Sequence, residues 1–215
     1  SIFGGRPSDW RIMAKNQSSA ASWTNPTLGW VFAVLSAMGI FASFQLLKGE
    51  IWVLRDPEIA LACDLNPLVG CSSSLLTPQA HLLIIPNSGV GLFIFGMLLA
   101  VAGVLIGRAG LPRLVWWGLS VGSLVGMGYV IYFLTASITI FRTLCPYCMV
   151  VWLSIIILTP LAWGGALRSG AYGSGKEAAG RTVLKFSWAI ALAIVLLIVL
   201  VILVGLSDKV GLLFS

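Results

Sequence analysis

The segment CPYCMVVWLSIIILTPLAWGGA at 145–166 begins with two cysteines and continues as an apolar run without a charged residue. A helix rises 1.5 Å per residue, so about 20 apolar residues are needed to cross roughly 30 Å of hydrocarbon. Four further uncharged runs are long enough, at 27–47, 88–107, 114–141 and 186–207. The sequence therefore predicts an all-α integral membrane protein with five transmembrane helices, the first four forming a bundle.

The composition supports this class. Hydrophobic residues make up 59% of the 215-residue chain and charged residues only 9%, whereas soluble domains carry about 25% charged residues. The net charge of +6 does not indicate nucleic-acid binding, because the basic residues are scattered between the apolar runs. The length allows one helical bundle with one or two connecting loops.

The distribution of Lys and Arg predicts the orientation, because cytoplasmic connections are enriched in these residues. One set of connections holds Arg6, Arg11, Lys15, Arg108, Arg113, Arg168, Lys176, Arg181 and Lys185. The opposite set holds only Lys48, Arg55, Arg142 and Lys209. We therefore expect a cytoplasmic N-terminus, with the C-terminus and all four cysteines outside, where disulfides can persist.

The predicted segments are a cytoplasmic tail 1–26, a four-helix bundle 27–166 with a long loop 48–87, a flexible linker 167–185, a fifth helix 186–207 and an outer tail 208–215. The linker is expected to set the fifth helix slightly apart. Within the loop, Asp56, Pro57 and Glu58 predict an N-cap and first turn of a short helix that runs toward Cys63. The apolar end of the loop is expected to lie back on the bundle.

The third predicted helix carries a stripe of glycines at every fourth position, Gly118, Gly122 and Gly126. Removing side chains from one stripe lets a neighbouring helix approach closely. We interpret the stripe mainly as a helix-packing surface, with a slot for a flat ligand as the alternative.

Cys145 and Cys148 lie one helical turn apart at the amino end of the fourth predicted helix. Unpaired N–H groups and the helix dipole stabilise a thiolate there. Trp152 falls one turn deeper on the same face, where it would provide an aromatic floor for a flat redox ring. A structural disulfide or half a metal site remain alternatives. Zinc would need about four N or S ligands, and with only His81 and an unusual cysteine spacing we predict no metal.

Cys63 and Cys71 enclose a turn-rich stretch with Asn66, Pro67 and Gly70. Such a pair either staples the loop or takes part in thiol–disulfide exchange with a second dithiol, which requires an exposed thiolate, an accessible disulfide and a mobile loop. Both interpretations remain open from the residues alone.

Three features together resemble the vitamin K epoxide reductase family, in its bacterial branch. These are the Cys-x7-Cys loop after the first helix, Asn87-Ser88 at the start of the second helix and the CxxC at the start of the fourth. The resemblance covers about 27–163. It implies a four-helix bundle around a quinone pocket in the bacterial inner membrane, with a cysteine loop and cap helix on the outer side.

The resemblance also implies a role for each cysteine. Cys148 would face the quinone, Cys145 would exchange with the loop through Cys71, and Cys63 would meet a soluble thiol protein. Asn87 would donate a hydrogen bond to a quinone carbonyl, and its alternative role is to cap the second helix.

The sequence departs from the family pattern at two further candidate quinone-site residues. Thr77 stands where the family usually has Ser, so a hydroxyl is kept. Trp152 stands where animal members have a quinone-contacting Tyr, and its indole N–H can donate but not accept a hydrogen bond. Reduction of a quinone is therefore expected here rather than the epoxide chemistry of animal members.

We predict a quinone-dependent thiol–disulfide oxidoreductase that supports disulfide bond formation. It would oxidise an exported thioredoxin-fold (DsbA-like) protein and reduce menaquinone or ubiquinone. The sequence contains no thioredoxin-like domain after the fifth helix, so the partner is expected to be a separate protein. The alternative is a membrane transporter or scaffold whose two disulfides are permanent. Ion transport is disfavoured because the five predicted spans contain no charged residue.

Overall fold

The computed structural model describes residues 25–56, 61, 63–64, 69–75, 77, 86–173 and 175–207. Its helices are α1 (Pro26–Arg55), α2 (Ser72–Leu75), α3 (Asn87–Ile106), α4 (Arg113–Ala136, extended by a π-helical segment at Ser137–Phe141), α5 (Pro146–Arg168) and α6 (Glu177–Gly205). Five of them, all except α2, are long and apolar enough to cross a membrane. The predicted class, an all-α membrane protein with five transmembrane helices, is confirmed.

Helix α1 begins at the expected place but continues beyond the predicted end at residue 47. The side chain of Asn25 caps it by accepting the N–H of Leu28 at 3.2 Å. Near the other end of α1, the Lys48 ammonium group lies over the ring of Trp52, 4.6 Å from the centroid. Glu50, between these two residues, is buried. Helix α1 therefore includes charged residues, Glu50 among them, beyond the predicted span.

Helices α1 and α3 approach closely through small residues. A Cβ added to Gly39 would lie 2.5 Å from the ring of Phe95, and one added to Gly91 would lie 2.5 Å from the hydroxyl of Ser43. In lipid, where apolar surface gains little from leaving the solvent, such close packing holds helices together. This contact fixes the start of α3 beside the C-terminal half of α1.

The linker composition predicts that helix α6 is set slightly apart from the bundle. The structure differs, because α6 packs directly against α5. A Cβ added to Gly180 would lie 2.5 Å from the backbone nitrogen of Arg168. The start of the predicted flexible linker is also held: Arg113 donates to the carbonyl of Gly170 at 3.0 Å, and the Trp117 indole donates to that of Ala171 at 3.2 Å. Composition alone did not reveal these contacts.

The glycine stripe of α4 packs against another helix at only one of its three positions. A Cβ added to Gly126 would lie 3.2 Å from Ile155 of α5, whereas one added to Gly118 or Gly122 would meet nothing within 4 Å. The helix-packing interpretation therefore holds for Gly126 alone among the described contacts of this chain.

The loop after α1 differs in part from its prediction. The backbone of Asp56 ends α1, with its N–H donating to the carbonyl of Trp52 at 2.9 Å. Leu61 and Cys63 are not helical, so the expected helix does not extend to Cys63. Residues 57–60, His81 and the apolar residues 82–85 lie outside the described part of the chain.

Candidate active site

All four cysteines meet at one end of the bundle, where α1 ends and α5 begins. They belong to or pack against one cluster, whose other members are Leu46, Val53, Leu61, Leu75 and Tyr147. Cys63 and Cys71 form a disulfide with their Cα atoms 5.8 Å apart, while Cys145 and Cys148 are free thiols. The Sγ of Cys145 donates to the Sγ of Cys71 at 3.4 Å. The two pairs are therefore in direct contact through one cysteine of each.

Cys145 occupies its place because it caps α5. Its backbone is extended, Pro146 follows in the first turn, and its Sγ accepts the N–H of Cys148 at 3.4 Å. The pKa of Cys145, which precedes the membrane-spanning helix, is lowered from 9.0 chiefly by the hydrogen bond from the Cys148 side chain. Backbone hydrogen bonds from Cys148 and Tyr147 act in the same direction, against desolvation and the charge of Asp64. The Cys145 thiol therefore loses its proton more readily than an ordinary cysteine.

Cys71 is brought to Cys145 by pairing between two distant pieces of backbone. Val69 and Leu144 form an isolated parallel bridge, and the N–H of Gly70 donates to the carbonyl of Leu144 at 3.1 Å. Each bridged segment is followed at once by a cysteine. The bridge therefore sets the register that places one cysteine opposite the other, and neither segment signals it by its own sequence.

Asp64 holds the cysteine loop together and was missed by sequence reasoning. Its carboxylate accepts the N–H groups of Cys71 at 2.7 Å, Ser72 at 3.2 Å and Leu61 at 3.2 Å, and also the hydroxyl of Ser72. Desolvation is the largest single effect on the pKa of Asp64 and raises that pKa. The hydrogen bonds together outweigh desolvation, so the pKa lies below 3.8. An acidic residue inside a turn-rich loop is a typical acceptor for backbone N–H groups, which was the available signal.

Gly70 is required by the closeness of this carboxylate. A Cβ at that position would lie 2.9 Å from Oδ1 of Asp64, closer than an ordinary van der Waals contact. The glycine therefore lets the loop fold over Asp64 while its own N–H reaches Leu144.

Tyr147, inside the CxxC motif, ties α5 to α1. Its hydroxyl accepts a hydrogen bond from Nε2 of Gln45 at 3.3 Å, and its ring meets that of Phe41 edge-on with centroids 6.4 Å apart. Sequence reasoning assigned no role to this residue. The contacts keep the start of α5, and with it Cys145, against α1.

Trp152 lies in a buried cluster between α4, α5 and α6. Its side chain is only 3% exposed, among Val130, Phe133, Leu134, Ile156 and Ala191. Cys148 packs against both this cluster and the cysteine cluster. The indole is thus part of the apolar wall behind Cys148.

The two polar candidates for the quinone site are Asn87 and Thr77. Asn87 is the first residue of α3, and Pro86 occupies the cap position, so its alternative role as the helix cap is wrong. The next residue, Ser88, donates its hydroxyl to Oε2 of Glu50 at 3.2 Å. Thr77 is a half-buried bend residue shortly after α2.

Among the described residues, no group of three or more His, Cys, Asp or Glu side chains is placed to hold a metal ion. His81 lies outside the described residues.

The chain matches a known protein family. The model of the vitamin K epoxide reductase family matches residues 30–163, more than half of the 215 residues, and this range includes all four cysteines. No curated protein and no solved structure matches the chain. The chain belongs to the vitamin K epoxide reductase family and is a multi-pass membrane disulfide oxidoreductase.

Proposed function

We propose that this chain oxidises the dithiol of an exported thioredoxin-fold protein and passes the electrons through its two cysteine pairs to a membrane quinone, menaquinone or ubiquinone. This activity would support disulfide bond formation outside the cytoplasm. The observation that carries the proposal is the 3.4 Å contact between the sulfur atoms of Cys145 and Cys71, one from each pair.

Exchange between the pairs follows from this contact. The thiolate of Cys71 attacks Cys145 of a Cys145–Cys148 disulfide, and Cys148 leaves as a thiolate. Cys63 then attacks Cys71 in the mixed disulfide and releases Cys145. Because a thiol of lower pKa leaves faster, the lowered pKa of Cys145 favours this second step. A Cys63–Cys71 disulfide beside two free thiols is the product of the exchange.

The electrons then pass from the second pair to the quinone. Cys145 and Cys148 each lose a thiol proton and together lose two electrons, and the quinone gains both protons and both electrons to become a quinol. Cys148 is the thiol that faces the quinone in this proposal, with the wall around Trp152 behind it. Asn87, and more weakly Thr77, supply polar contacts to the quinone oxygens.

The partner protein enters at the other end of the path. It exchanges with Cys63, whose side chain is only 7% exposed, so the loop must open to admit the partner's thiolate. The unequal distribution of Lys and Arg supports an orientation in the bacterial inner membrane with this loop outside. There the loop is accessible to an exported partner.

The alternative, a transporter or scaffold with structural disulfides, requires two permanent disulfides. One disulfide and two free cysteines, of which Cys145 contacts the disulfide, favour the exchange reaction instead.

The variant Cys148→Ala tests electron delivery to quinone. Purified full-length protein is supplied with a dithiol donor and a soluble quinone analogue, and quinol formation is followed by absorbance. We expect the rate to fall to background, because without Cys148 the Cys145–Cys148 disulfide that forms as the quinone is reduced cannot close. The matched control is Met149→Ala, which removes the adjacent side chain, 42% exposed, and is expected to retain the parental rate. Parental activity of Cys148→Ala would refute the path.

The variant Cys71→Ser tests the partner. Without Cys71, a mixed disulfide between Cys63 and the partner cannot be resolved from within the loop. We expect the complex to accumulate in cells and to contain an exported thioredoxin-fold protein joined to Cys63, identified by peptide mass spectrometry under non-reducing conditions. A partner joined to Cys145 instead would contradict the proposed order.

A further inference from the structure

Glu50 is a carboxylic acid buried inside a helix that spans the membrane. It lies in α1, and its side chain is only 4% exposed. Ionisable residues within transmembrane helices are rare and costly, and they commonly mark proton or ion paths. The exchange chemistry described above assigns Glu50 no part.

The position of Glu50 on α1 places it on the helix face that meets the cysteine cluster. Leu46 and Val53 lie four residues before and three residues after it, so the three share one helix face. Both neighbours pack in the cluster that contains Cys71 and Cys145. Glu50 therefore lies on the stripe of α1 that faces the redox site.

Glu50 is also connected to the start of α3. The hydroxyl of Ser88, itself buried, donates to Oε2 of Glu50 at 3.2 Å. A serine hydroxyl can donate and accept at the same time. The adjacent residue is Asn87, which we place at the quinone oxygens, so the carboxyl group is linked by one hydroxyl to that end of the path.

Quinone reduction by a dithiol requires a group that accepts a proton from the thiol and later donates it to the quinone. The attacking form of a cysteine is the thiolate, so each attack first releases a proton, which the quinone later takes up. In a buried site a carboxylate can hold that proton between the two events. General acid–base groups must lie within hydrogen-bond reach of the proton, directly or through one intermediate group.

We propose that Glu50 holds a thiol proton during the reaction and returns it to the quinone through Ser88. The inference rests on the proposed quinone reduction. Cys145 and Cys148 lose two protons and two electrons and form a disulfide, and the quinone becomes a quinol. Glu50 gains one of these protons when the thiolate forms and loses it to a quinone oxygen, so its own state is unchanged after one turnover.

The test separates the quinone step from the thiol step. Fully reduced protein is mixed rapidly with a soluble quinone analogue and quinol formation is followed in a single turnover. In a second measurement, dithiothreitol reduces the Cys63–Cys71 disulfide in the absence of quinone. The variants are Glu50→Gln, which can still accept the hydrogen bond of Ser88 but holds no proton, and Glu50→Asp, which keeps the carboxyl group.

We expect Glu50→Gln to slow the quinone step at least about tenfold and to leave the dithiothreitol step unchanged, with Glu50→Asp regaining part of the rate. If Glu50→Gln does not fold, Ser88→Ala replaces it and must slow the quinone step alone. A rate for Glu50→Gln within twofold of the parent would overturn the inference, as would equal slowing of both steps. Failure of the parent itself to reduce quinone would instead overturn the proposed function, and the inference with it.

Discussion

The two cysteine pairs are held in place by different means. Cys145 and Cys148 are positioned by a single helix, through a cap and one helical turn. Cys63 and Cys71 depend on contacts from elsewhere, namely the carboxylate of Asp64 and the bridge to Leu144. The backbone of the first pair is fixed by the start of α5, whereas the second pair is held by a few hydrogen bonds that can open. A relay between a fixed site and a visiting protein needs this combination of one rigid and one movable pair.

Among substitutions that disturb the loop pair and leave the helix pair in place, replacement of Asp64 is expected to slow electron transfer between the pairs the most. Asp64→Ala removes the acceptor of the Cys71, Ser72 and Leu61 N–H groups, and a hydrogen bond to a charged group contributes about 1.5 kcal/mol or more. We therefore expect electron transfer between the pairs to slow about tenfold or more. The measurement is dithiol-driven quinol formation at saturating dithiol.

Two further variants make the Asp64 result specific. Asp64→Asn keeps one oxygen acceptor and should fall between the parent and the alanine variant. Glu177→Ala, which removes an exposed acid from the start of α6, should match the parent. Equal rates for Asp64→Ala and the parent would mean that the carboxylate does not position the loop.

The pKa of Cys145 provides a prediction of intermediate size. Hydrogen bonds, first of all that from the Cys148 side chain, lower its pKa from 9.0, so its thiolate forms at lower pH than that of an ordinary cysteine. Alkylation of Cys145 by iodoacetamide, followed by mass spectrometry across pH, should show a midpoint below 9.0. In Cys148→Ala the midpoint should move upward, and a midpoint unaffected by this change would contradict the assigned cause.

The loop pair should respond to pH only in acid. The folded-state pKa of Asp64 is below 3.8, so its stabilising contribution is complete above the unfolded value and is lost as the pH falls through the lowered one. The rate of limited proteolysis of the loop should therefore be constant between about pH 5 and 8. It should increase only when the pH falls below the ordinary pKa of an aspartate carboxyl group. An increase already near neutral pH would require another titrating group.

The smallest effect is expected for Gly70→Ala. Its Cβ would lie 2.9 Å from Oδ1 of Asp64, and this side chain can give way only by stretching its hydrogen bonds, at a cost of about 1 kcal/mol. Quinol formation should slow severalfold, less than in Asp64→Ala. Gly122→Ala, where an added Cβ meets nothing within 4 Å, is the matched control and should leave the rate unchanged.

The place of the rigid pair at the start of its helix could be predicted from sequence because the cap and the helical turn that set it are local. Cysteines three residues apart, a proline in the first turn and a long apolar run specify a helix start in a membrane. The family resemblance also pointed to all four cysteines. Trp152 was correctly placed on the face below Cys148, because helical spacing alone determines it.

The contacts of the loop pair could not be predicted in this way, because they join residues distant in sequence. Nothing near Val69 indicates that it pairs with Leu144. The predicted end of α1 falls too early for a related reason: the charges of Lys48 and Glu50 indicate the end of a membrane span, whereas the helix continues to Arg55. In the structure each is accommodated by a partner, Trp52 for the lysine and Ser88 for the acid.

The most direct test of the path is a variant that keeps only the two cysteines in contact. Cys63→Ala combined with Cys148→Ala leaves Cys71 and Cys145 as the only thiols among the four cysteines, with their sulfur atoms 3.4 Å apart before substitution. After mild oxidation of the purified protein, peptide mass spectrometry under non-reducing conditions should find a Cys71–Cys145 disulfide in most molecules. Recovery of both residues as alkylated thiols would contradict electron transfer through this contact.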